Sequence, residues 1–111
     1  MSRPRTERRS PAALAREAIR LLDDAIEKPP AELKAEVDAA ERAIVALRDE
    51  LIERWRATPD SGVRTALSRT NVALSLVVGL EYPIGGLQRK LLEQARSELH
   101  AALEAGPAAT F

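Results

Sequence analysis

Proline and its capping partners cut this chain into four segments, and in each the apolar residues recur at helical period. Ser10-Pro11 is an N-cap followed by proline at the first helical position, where the missing N–H removes no bond. Thr58-Pro59 repeats the pair and predicts a second such start. Lys28-Pro29-Pro30 must end a helix, because proline lacks the backbone donor and clashes with the preceding turn. Tyr82-Pro83 with Gly85-Gly86 marks another break, and Gly106-Pro107 predicts a left-handed cap and a stop. The segments left between these signals predict helices over 11–28, 31–57, 59–81 and 84–105.

In the second segment Leu33, Val37, Ala40, Ile44, Leu47 and Leu51 alternate spacings of four and three, a narrow stripe that Trp55 extends. The first offers Leu14, Ala15, Ala18, Ile19, Leu21, Leu22, Ala25 and Ile26 over an arc of roughly 160°. The fourth offers Ile84, Leu87, Leu91, Leu92, Ala95, Leu99, Ala102 and Leu103 over a similar arc. Aromatic residues are confined to Trp55, Tyr82 and Phe111, so the core is expected to be aliphatic. No segment alternates with period two, which gives a sheet no support. Short connections make successive helices antiparallel neighbours. The expected fold is therefore an all-α, antiparallel up-down-up-down four-helix bundle with a short basic N-terminal tail. Its parts are a flexible basic arm over 1–10, one bundle domain over 11–106 and a C-terminal tail over 107–111. A competing geometry bends a single long helix at Pro83; Gly85-Gly86 directly after it favours a turn.

The chain carries 17 acidic and 17 basic residues in 111, a balance that argues against a whole-protein field collecting nucleic acid or anionic membrane. Within residues 1–10, Arg3, Arg5, Arg8 and Arg9 stand against Glu7 alone. No apolar region follows that basic start, so a secretory signal is not expected. A transmembrane helix needs about 20 apolar residues, whereas the longest candidate is the VALSLVVGL run at 72–80. Cysteine is absent, which excludes disulfides and thiolate sites and is compatible with a reducing, cytoplasmic setting.

The third segment is the unusual one. With Leu74 as the centre, Val63, Leu67, Thr70, Val77 and Val78 fall within about 60° and form a core stripe. Val72 and Leu76 lie almost opposite and Leu80 about 120° away, with Ala73 and Ala66 on the same flank. A bundle helix cannot bury both sides against its own neighbours. Val72, Leu76 and Leu80, with Ala73, are therefore expected to form an exposed ridge that pairs with its own copy in a two-fold dimer. An unidentified protein partner is the wider form of the same expectation. No acidic residue lies between Asp60 and Glu81 to oppose such a contact.

Motifs for chemistry are weak. His100 is the only histidine. A diiron-type bundle needs Glu three residues before the histidine, and Ser97 stands there. Gly85-Gly86 lacks the lysine and hydroxyl of a phosphate loop, and no strand precedes it. No metal or cofactor is expected. Arg48, Asn71, Ser75, Glu81 and Tyr82 are the one collection of varied polar groups that resembles a ligand pocket, with Glu41 or Glu81 as partners for Arg48. Arg89 and Lys90 in the first turns of the last helix oppose its macrodipole, which marks a place for an acidic contact. Three functions follow, in order of support: a non-enzymatic interaction, adaptor or accessory protein that self-associates through its third helix; a small-molecule binder or enzyme using the Arg48, Glu81 and Tyr82 pocket; and a nucleic-acid accessory factor using Arg3, Arg5, Arg8 and Arg9. The last is disfavoured by the lack of aromatic platforms for bases.

Overall fold

A computed structural model of the chain describes residues 10–28, 33–80, 86–106 and 111. It holds four helices and, among the described residues, no strand: α1 over Pro11–Glu27, α2 over Leu33–Ala57, α3 over Ser61–Val78 and α4 over Gly86–Ala105. The Ser10 Oγ accepts from the Ala13 N–H at 3.1 Å, so the expected cap of α1 is in place with Pro11 behind it. Lys28 is already extended (φ −85°, ψ 155°), the conformation required of a residue that precedes proline.

The start of α3 differs from expectation. Asp60, not Thr58, is the N-cap: its Oδ1 accepts from the N–H groups of Gly62 at 2.7 Å and Val63 at 3.2 Å. Thr58 instead donates its N–H to the Arg54 carbonyl at 2.9 Å and closes α2. Proline at 59 stops α2, and an aspartate satisfies two free N–H groups at the positive end of α3. The far end of α3 also comes early. Gly79 donates to Ser75 and Leu80 to Val77, and the helix gives way at Val78. Because α3 and α4 are separate helices packed on one another, a single kinked helix is ruled out. Tyr82 and Pro83 lie outside the described residues. Gly106 follows α4 without entering the left-handed region, contrary to the expected cap. The Phe111 ring occupies the space a side chain at 106 would fill.

Each helix packs on two others: α1 on α2 and α4, and α3 on α2 and α4, with neither diagonal pair in contact among the described residues. Polar links along α1 and α4 run in opposite chain order. Arg96 reaches Asp23 at 2.8 Å, Arg89 reaches the backbone carbonyls of Ile26 and Lys28, and the Phe111 carbonyl accepts from the Ala12 N–H at 3.1 Å. The core is aliphatic. Ala15, Ala18, Ile19, Leu22 and Ala25 of α1 meet Val37, Ala40, Ile44, Leu47 and Leu51 of α2 and Leu92, Ala95, Leu99 and Ala102 of α4. Trp55, Leu91 and Leu103 pack on it while partly exposed.

The core face of α3 is not the one centred on Leu74. Its buried positions are Val63, Ala66, Thr70, Ala73, Val77 and, just beyond the helix, Leu80. At about 100° per residue their centre lies roughly 70° from Leu74. Ala66 and Ala73 sit on the side toward Arg69, which bridges to Glu98 of α4 at 3.1 Å, so this small-residue flank faces α4. Small side chains let two helices approach closely, and the large Leu67, Leu74 and Leu76 then pack at the margins of the contact. The Thr70 hydroxyl donates to the Ala66 carbonyl at 2.7 Å, which makes a polar group tolerable at the centre. Val78, expected in the core stripe, is 60% exposed.

Candidate functional site

The solvent face of α3 is chemically unlike those of the other helices. On α1 the exposed positions are Arg16, Arg20, Asp24 and Glu27, all charged. On α4 they are Lys90, Glu93, Gln94, Ser97, His100 and Glu104. On α3 they are Ser61, Arg64, Thr65, Ser68, Arg69, Asn71, Val72, Ser75 and Val78, with Gly79 at the end. Only Arg64 and Arg69 carry charge there, and Arg69 is held by Glu98. The two exposed large apolar side chains among the described residues, Val72 and Val78, both belong to this helix.

The expected ridge is thus partly overturned. Ala73 is fully buried, Leu80 is buried, and Leu76 packs against the core with part of its surface left in solvent. Val72 alone of the four is exposed. The cause is the rotation of α3 about its axis: the flank that carries Ala73 and Leu80 turns toward α4. What faces solvent is instead a line of small residues, Ser61, Thr65, Ser68, Val72, Ser75 and Gly79, spaced four, three, four, three and four apart. A shallow depression runs along it, lined by Ser61, Arg64, Thr65, Ser68, Arg69 and Val72. A second lies beside it on α4, lined by Lys90, Leu91, Glu93, Gln94, Ser97 and Glu98. The Arg69–Glu98 ion pair joins the rims of the two. The heptad spacing was visible in the sequence, but on serines, threonine and glycine it adds little to any hydropathy pattern.

The residues considered for a ligand pocket do not converge where they are described. Arg48 pairs with its neighbour Asp49, at 3.2 Å, and not with Glu41. Asn71 and Ser75 are exposed on α3, and neither lines either depression. Glu81 and Tyr82 lie outside the described residues, as do Arg3, Arg5, Arg8 and Arg9 of the basic arm. Arg89 has an internal task. Its guanidinium caps the free carbonyls at the end of α1, so the cation unfavourable for its own helix answers the negative end of another. His100 is exposed. Among the described residues no group of three or more His, Asp or Glu side chains is placed to hold a metal ion. Among the described residues no helix is long and apolar enough to cross a membrane.

Compared with known proteins, the chain matches no family model, no curated protein and no solved structure.

Proposed function

We propose that this chain is a non-enzymatic interaction protein of the cytoplasm, an adaptor or accessory subunit, and that it self-associates through the solvent face of its third helix. The observation that carries the reading is the placing of both exposed valines, Val72 and Val78, on a helix whose outer face has no acidic residue and one arginine, Arg64, without an ion-pair partner among the described residues. Charged outer faces elsewhere on the bundle resist close association, because desolvating unpaired charge is costly. The face of α3 has little to desolvate and centres on Val72, 43% exposed, with Val78 about 120° round the helix at its edge; fully removing a valine from water is worth about 1.5–3 kcal/mol, and the part of Val72 still exposed correspondingly less. The lack of cysteine fits a reducing compartment.

A scan that places one glutamate on the outer face of each helix tests this. Arg16→Glu, Ala46→Glu, Val72→Glu and His100→Glu all alter exposed positions and should leave the fold intact. Light scattering after size exclusion is expected to give a self-associated species for the wild type, for Arg16→Glu, Ala46→Glu and His100→Glu, and a monomer for Val72→Glu alone. Equal masses for all five proteins would remove α3 as the contact surface.

A further inference from the structure

We infer that Phe111 is a releasable clasp between the start of α1 and the end of α4. With the ring seated on Gly106, the Phe111 carbonyl completes the first turn of α1. With the ring away, that turn opens while the core stays folded. The need for a clasp begins at Ser10. A helix start leaves its first N–H groups without partners inside the helix. Pro11 has no N–H to satisfy. The Ser10 Oγ accepts from Ala13 at 3.1 Å, and the Ser10 carbonyl accepts from Leu14 at 3.0 Å. Ala12 is left, and its N–H donates to the Phe111 carbonyl at 3.1 Å. The start of α3 needs no such help. There Asp60 accepts from Gly62 and Val63 through one carboxylate oxygen and from Arg64 through its carbonyl. A serine hydroxyl reaches one N–H where the aspartate reaches two, so the second amide of α1 takes its acceptor from beyond α4.

The ring is what holds that acceptor in place. A lone hydrogen bond at a helix start gains little over the bond to water that it replaces. Phe111 adds packing to it: the ring lies against Gly106, where the lack of a Cβ permits the close approach, and rests on the margin of the core. Arg89 and Arg96 fasten the later half of α1 to α4 through Ile26, Lys28 and Asp23. Near the start of α1 the link comes from residue 111. Because Phe111 is only half-buried, it can leave its seat without opening the aliphatic centre. The clasp does not depend on the α3 face or on self-association.

Amide hydrogen exchange of the full chain, followed residue by residue by NMR, tests the clasp. The Ala12 amide is expected to exchange about tenfold faster in Phe111→Ala than in the wild type, from loss of one hydrogen bond and the packing that keeps it. Ala18 and Leu22, in the buried part of α1, are expected to stay strongly protected in that variant. Adding Ser10→Asp to Phe111→Ala should restore the protection of Ala12, because an aspartate cap accepts from both amides, as Asp60 does. Equal Ala12 rates in the wild type and Phe111→Ala would overturn the clasp. Loss of protection at Ala18 and Leu22 would do so too, since release would then unfold the core. Failure of Ser10→Asp to restore protection would overturn the role of the carbonyl. Protection of Ala12 that falls on dilution would assign the carbonyl to a second copy and overturn the contact within one chain.

Discussion

A side chain at Gly106 would displace the ring of Phe111. A Cβ there would fall on the ring of Phe111, the residue whose carbonyl also accepts from Ala12 at the start of α1. Gly106→Ala is expected to push aside the Phe111 ring, a flexible and half-buried side chain, at a cost of no more than about 1 kcal/mol, below that of overpacking a core. In a Phe111→Ala background the same change should cost almost nothing, because the obstacle is gone. Urea unfolding of the four proteins of that cycle measures the coupling directly. Val78 and Leu80 make a second contrast. Hydropathy treats them alike, but Val78 is exposed and Leu80 is buried. At concentrations where the chain is a single subunit, Val78→Ser should change stability by no more than about 0.5 kcal/mol, and Leu80→Ala should cost about 2–5 kcal/mol. The reverse order, read by the same unfolding experiment, would put the rotation of α3 in error. Neither difference was legible in the sequence, since exposure at the end of a helix depends on which neighbour lies beside it.

At the level of elements, three helices could be read and one could not. The Val37, Ala40, Ile44, Leu47 and Leu51 stripe of α2 is buried as its spacing requires, and the cores of α1 and α4 fall within their expected arcs. There, large aliphatic residues mark the buried face. In α3 the buried centre is Ala66, Thr70, Ala73 and Val77, and the leucines stand at its edges. A wheel centred on the largest residue finds a rim and takes it for the middle. The close approach to α4 that sets this geometry is a property of two helices together. The same limit moved the cap of α3. Ser-Pro and Thr-Pro look equivalent, yet only Ser10 caps; at the second site Asp60 does. Asp60→Ala should cost about 1 kcal/mol, and Thr58→Ala less than about 0.5 kcal/mol, as measured by the midpoint of thermal unfolding.

Across the whole molecule, four helices close a ring around one aliphatic core, and polar links fasten the first helix to the last. Two outer faces consist mainly or wholly of charged residues. A third, on α3, is nearly bare of charge and carries the exposed valines. The composition of that face was open to view in the sequence as a run without acidic residues from 61 to 80; which side of the helix it occupied was not. Sedimentation equilibrium of the wild-type chain across a wide dilution series tests the account at its centre. A subunit has a mass of 12.1 kDa. The prediction is a weight-average mass that rises with concentration from that value toward twice it. A mass that stays at a single subunit up to the highest concentration loaded would contradict the account.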